Sequence, residues 1–246
     1  MSAGIGSTFI TTGGIGSGGK GKAVFPGLIM LRTLLSILGI YKLYEKWLEK
    51  QIESKEKPRH VCIIIGEESI KMDERLSKII ELIRWCKDLG IKVLTICIPE
   101  AKARNSRTME VIRRRIEDIN GIKFEEREKT LGGEELIVNF IVGYGGREDI
   151  IKATKTLAKK VLSGQIDPEE VDEKEFQRYL LTSRLPISDI DLIIRISGGR
   201  TLSNFLIWQS AYSEFVFMDI RWEELRKIDF MRAIRVFQSR KRRFGR

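Results

Sequence analysis

Histidine and cysteine are scarce in this chain. His60 is the one histidine, and the three cysteines, Cys62, Cys86 and Cys97, are scattered through apolar segments. An odd count without zinc-like spacing excludes a disulfide framework and a Cys/His metal site, and leaves buried free thiols in a reducing compartment. His60 precedes a Val/Ile run and reads as a strand-edge residue. No uncharged apolar run reaches the about 20 residues that span a bilayer. The nearest, residues 25–51, is interrupted by Arg32 and Lys42. GSGGKGK departs from the phosphate-loop spacing and follows no strand, and no cleavage-site pattern marks a secretory signal. Acidic residues are outnumbered, giving a formal net charge of +10. The excess calls for an anionic partner: nucleic acid, an anionic membrane surface or a phosphorylated small molecule.

What is present suits a globular α/β protein, with 42% hydrophobic and 32% charged residues. Residues 1–22 are rich in Gly, Ser and Thr, lack periodicity and read as a flexible tail. Residues 23–57 form an N-terminal apolar and amphipathic helical region, in which YKLYEKWLEKQ, 41–51, mixes aromatic and basic residues. That mixture suits either a membrane interface or packing on the domain. Residues 58–246 form the main domain, with a basic C-terminal tail.

From residue 60 strands and helices alternate. Strands are expected at 60–65, 91–98, 136–144, 191–197 and 215–220, with helices between, one ending at Gly90, a charged one at 106–118 and another at 147–163. Such alternation predicts a largely parallel central sheet flanked by helices. Ligands then bind beyond the carboxyl ends of strands. The loops there are Gly66-Glu67-Glu68-Ser69, Pro99-Glu100-Ala101-Lys102, Gly145-Gly146-Arg147 and Ser197-Gly198-Gly199-Arg200. Paired glycines admit backbone N–H groups to an anion, and arginine meets it with forked donors. Together they favour a phosphate or diphosphate. The Glu67/Glu68 pair reads as a solvated loop or helix start, with a metal site as the alternative.

DIDLIIRISGGRTLSNFLIWQSAYSEFVFMDIRW, 189–222, resembles the signature region of the cis-prenyltransferases, the undecaprenyl and dehydrodolichyl diphosphate synthases. GYGGREDIIKA, 143–153, resembles a second family motif, PRHVCIII, 58–65, the approach to the first, and KLYEKWLEKQI the family's N-terminal helix. The resemblance covers roughly residues 40–246. It implies a dimer that condenses isopentenyl diphosphate onto an allylic diphosphate with Mg²⁺, in a sheet-lined apolar tunnel. Of the family's isopentenyl diphosphate pattern, Arg195 and Ser203 match, Thr201 replaces the second arginine, and Arg200 lies one place earlier. Glu214 matches the signature glutamate and is a further metal candidate.

The resemblance breaks at the first motif. Where active members carry Asp-Gly-Asn, this chain has Gly66, Glu67 and Glu68, and IPEAKARNS replaces the Ser-Thr-Glu-Asn-Trp stretch after the second strand. KRRFGR, 241–246, resembles the Arg-x-Gly ending of the non-catalytic Nogo-B receptor type of subunit, through Arg243 and Gly245. The expected function is therefore an activating subunit, inactive alone. Its heterodimer partner, a catalytic homologue of dolichol-type isoprenoid synthesis, would hold most of the Mg²⁺. Arg243 and Gly245 would complete that partner's site. Two alternatives stand: an active homodimeric synthase with a diverged first motif, and a basic lipid- or nucleic-acid-binding module. No nucleic-acid fold motif supports the last, so no nucleic-acid partner is expected. A cytoplasmic, peripherally membrane-associated location is expected.

Overall fold

The computed structural model describes residues 8–10, 39–65, 72–98, 123–125, 130–132, 136–143, 145–196 and 206–240. Five strands form the centre of one sheet: β2 (His60–Ile65), β3 (Val93–Ile98), β6 (Ile137–Val142), β7 (Leu192–Ile196) and β8 (Glu214–Met218). They run in the spatial order β8-β7-β2-β3-β6 and are all parallel. Every residue of β2, β3 and β7 is buried. Parallel strands covered on both faces read as continuous Val/Ile/Leu runs, which is why these were visible in the sequence.

Three short strands extend the sheet beyond the expected set. β1 (Thr8–Ile10) pairs parallel with Val216, Phe217 and Met218 of β8. The expected flexible tail thus contains a stretch of edge strand, its three residues being β-branched or aromatic. On the other side β5 (Thr130–Gly132) and β4 (Lys123–Glu125) add antiparallel to β6. The charged helix expected at 106–118 lies outside the described residues.

Helices α1 (Ile40–Glu53), α2 (Met72–Asp88) and α5 (Lys227–Ser239) share the larger core with the sheet. Helix α3 (Gly146–Leu162) and the short α4 (Glu173–Gln177) complete the α-helices among the described residues. The larger core joins Val61, Ile63, Leu94 and Ile194 of the strands to Ile52, Leu82 and Phe230 of the helices. A second cluster on the alternate strand positions holds Cys62, Ile64, Cys97, Ile141, Ile193 and Phe215. Helix α2 stops at Gly90, as its sequence predicts. Gly90 takes a φ of 72°, and Ile91 N–H returns to the Cys86 carbonyl at 3.0 Å, a left-handed C-terminal cap.

The N-terminal helix packs on the domain rather than standing apart. Leu48 and Ile52 are buried, and Gln238 of α5 donates to the carbonyl of Ile52 at 2.9 Å. Lys227 joins the two helices through Glu49 at 2.7 Å and Glu45 at 3.2 Å. Burial alone would lower the Lys227 ammonium's pKa, but these carboxylates outweigh it and hold the value raised. Among the described residues no helix is long and apolar enough to cross a membrane.

His60 stands at the start of its strand, as expected. It begins the central strand β2 and is fully buried. Its Nδ1 meets the Asp189 carbonyl at 3.1 Å, which can only accept, so Nδ1–H donates. Nε2 is then the acceptor for the Thr95 hydroxyl at 2.8 Å, and Asn139 donates to that hydroxyl oxygen at 3.4 Å. Burial drives the imidazole's pKa down to about 4. Beside it, the Asp191 carboxylate accepts from Arg59 N–H at 2.8 Å and His60 N–H at 3.1 Å, fastening β2 to the entry of β7.

Candidate diphosphate site

Parallel strands place all their carboxyl ends on one edge, so β2, β3, β6 and β7 deliver their following loops together. Arg195 sits one residue before the end of β7, in register with Ile64 of β2 and Phe217 of β8. Period-two alternation puts it on the same face as Ile193, Cys62, Ile64 and Cys97. It is largely buried, at 9% exposure. Arg195 thus lies near the carboxyl edge of the sheet, with apolar residues on the same face. Burial pushes the neighbouring Cys97 thiol up to about 12, although the Arg195 charge pulls the other way. Cys62 is likewise raised by burial, so both thiols are protonated apolar groups and not nucleophiles.

The second component is the GYGGR turn. Gly143 takes a φ of 61°, open to glycine, and its N–H donates to the Ile98 carbonyl at 2.8 Å. That turn carries the chain from β6 into α3, whose extended N-cap, Gly145, has no side-chain cap. Gly145 and Gly146 are buried and Arg147 is exposed. The helix therefore opens with backbone N–H groups at the edge where β6 ends, an arrangement that favours an anion.

Asp149 fixes that helix end. Its Oδ1 accepts from Leu181 N–H at 3.0 Å and its Oδ2 from the Gln209 amide at 2.9 Å. Burial raises the carboxyl's pKa, and the two hydrogen bonds work against that. The second motif is thus tied to the signature stretch that contains Gln209. Sequence reading passed over Asp149; its place two residues after Gly-Gly-Arg, in the first turn of a helix, was the available signal.

Glu214 stands apart from this edge. It is the first residue of β8, in register with Leu192, and so lies at the amino end of its strand. Its carboxylate is engaged by the guanidinium of Arg240, just beyond α5. Among the described residues no three His, Cys, Asp or Glu side chains gather where they could hold a metal. With Glu214 committed to an arginine, the described residues do not fit a Mg²⁺ cage. Gly66, Glu67, Glu68, Arg200, Ser203, Arg243 and Gly245 lie outside the described residues. The flanking elements are described: β2 to Ile65, β7 to Ile196 and α5 to Ser239.

The fold and this edge define an α/β protein with an arginine and a glycine turn at the carboxyl edge of a parallel sheet, near an apolar face. The family described as "Putative undecaprenyl diphosphate synthase" matches residues 110–245. The tritrans,polycis-undecaprenyl-diphosphate synthase (geranylgeranyl-diphosphate specific) of Methanocaldococcus jannaschii is 36% identical, over 84% of this chain and 89% of its own. An isoprenyl transferase of Thermus thermophilus is 36% identical, over 88% of this chain and 100% of its own. Among solved structures, lavandulyl diphosphate synthase from Lavandula x intermedia, in complex with dimethylallyl diphosphate, has a TM-score of 0.63 at 26% identity. It covers 77% of this chain and 99% of its own. The chain belongs to the cis-prenyltransferase family, whose undecaprenyl diphosphate synthases it resembles along most of its length. The α/β expectation is met. The relatives quoted are named as synthases or transferases, and none of them lends support to an accessory-subunit role.

Proposed function

We propose that this chain is a polyprenyl diphosphate synthase subunit that works as a pair of like chains, joining isopentenyl diphosphate to an allylic diphosphate. The observation that carries the reading is Arg195, held on an apolar sheet face one residue from the carboxyl edge. Its guanidinium offers forked donors to the diphosphate of the incoming unit. Cys62, Ile64, Ile193 and Phe215 offer an unreactive wall to the growing prenyl chain. The relatives' names support synthase activity. Pairing is supported by Ile207 and Tyr212, which stand exposed at 48% and 63% in the stretch 205–220.

One sequence observation favours a second reading. Gly66 has no side-chain oxygen where the family's active members have Asp, and Glu67 and Glu68 add negative charge beside a diphosphate. Under that reading the chain activates a catalytic homologue, with Arg243 and Gly245 reaching the homologue's substrate. Purified chain, supplied with labelled isopentenyl diphosphate, geranylgeranyl diphosphate and Mg²⁺, separates the two. Butanol-extractable polyprenyl product from the single chain supports the synthase. No product alone, but stimulation of a co-expressed homologue bearing Asp-Gly-Asn, supports the subunit. No product alone and no stimulation of the homologue would overturn both readings.

A further inference from the structure

The sheet ends differently on its two sides. Beyond β6 the outermost strand is β4, whose sequence brings Lys123 and Glu125 to the margin. Charge at an edge discourages a further strand from adding. On the other side the last of the five principal strands is β8, and its sequence offers no such protection. Between Glu214 and Asp219 it reads Phe215-Val216-Phe217-Met218, an apolar run without charge, proline or glycine, in which Phe and Val favour strands. Both its faces are largely covered: Phe215, Val216 and Met218 are buried and Phe217 is half-buried. What such a strand leaves open is its outward row of N–H and C=O groups.

β1 covers that row. Thr8, Phe9 and Ile10 stand in parallel register with Val216, Phe217 and Met218, within the uncharged part of β8. Among the described residues β8 is the strand that β1 pairs with, and residues 11–39 separate β1 in sequence from α1. Being three residues long, β1 presents little edge of its own.

We propose that β1 is a displaceable edge guard, and that the outer edge of β8 is a strand-acceptor surface whose competing occupant is the β8 edge of a second copy of this chain. Every copy carries the same edge, so two uncovered copies present matching, uncharged rows that pair antiparallel about a twofold axis. Three residues make few ladder bonds against the cost of ordering them, so β1 leaves its place far more readily than a central strand. Seated, it confines association to surface side chains such as Ile207 and Tyr212. Unseated, it lets two sheets join edge to edge. This role is independent of the catalytic reading.

The test uses the full chain carrying Phe9→Pro/Ile10→Pro. Of two successive strand residues one turns its N–H toward the neighbour, so the pair removes a ladder bond whichever residue makes it. The five principal strands are untouched, and circular dichroism should stay that of wild type. Amide exchange at residues 216–218 should quicken by about tenfold or more. The mass read by light scattering should rise above that of wild type at equal concentration. A peptide of residues 5–14, added in excess, should refill the edge, slow the exchange and reverse the growth. Unchanged exchange in the variant would overturn the proposal. Faster exchange without growth would overturn it as well, since the open edge would then take no second copy. Growth that the peptide leaves in place would also count against it, because association would run through another surface.

Discussion

At the scale of the residue, His60 sets how the protein meets acid. Its imidazole is buried with Nδ1–H given to a carbonyl and Nε2 receiving the Thr95 hydroxyl, so an added proton would break the second bond. The folded-state pKa is about 4, below the ordinary 6.5. The unfolded chain takes up its proton below about pH 6.5, and the folded chain only near pH 4. His60 therefore leaves stability untouched above that window and subtracts from it as pH falls through it, by about 3 kcal/mol once both values are passed. Thermal melts between pH 7 and pH 4.5 should show the decline. His60→Gln should start lower at pH 7 and fall less steeply. An equal slope in the variant would move the acid sensitivity to carboxylates elsewhere. The sequence concealed this. A lone histidine before a Val/Ile run looks the same whether its strand ends up central or marginal, because the neighbours that bury it come from β3, β6 and the approach to β7.

Among the elements, α1 and α5 form the pair that joins the two ends of the described domain. Ile52 of α1 is fully buried, and Ile52→Ala should cost about 2–5 kcal/mol, read as a lower urea midpoint at an unchanged slope. Lys46→Ala, at an exposed position, should stay within about 0.5 kcal/mol of wild type. A small effect at Ile52 would mean that α1 docks loosely. The principal strands were legible because each is a run of apolar residues bounded by turn or charge. β4 and β5 were not, since three residues leave no period to detect. Arg195 was found because it falls within a long signature. Asp149 and Arg240 escaped notice because their partners, Gln209 and Glu214, lie far along the chain and only folding brings them together.

For the whole molecule, the C-terminal tail is a feature whose root is known. Helix α5 ends at Ser239, and Arg240 is pinned to Glu214 at the amino end of β8, away from the edge that carries Arg195. KRRFGR follows directly on that anchored residue. Arg243→Ala should lower the turnover of the assembled enzyme by about ten- to a hundred-fold, the worth of one charge-assisted bond to a diphosphate. Arg242→Ala should do much less. Steady-state kinetics on assemblies of equal size, checked by light scattering, would decide it. Equal losses in both variants would reduce the tail to a generic basic patch.

The α1–α5 pairing also bears on how the chain is made. A ribosome releases α1 well before Gln238 and Lys227, which hold it from 186 and 178 residues further along the chain. β2 likewise must wait for β7 before its second flank is covered. Contacts this distant in sequence make folding slow and leave unpaired strand edges exposed in the meantime. Synthesis and folding cannot proceed in step here. A nascent chain arrested before residue 227 would hold most of its apolar strands without the helix that covers them, and would be a client for chaperones rather than a smaller version of the domain.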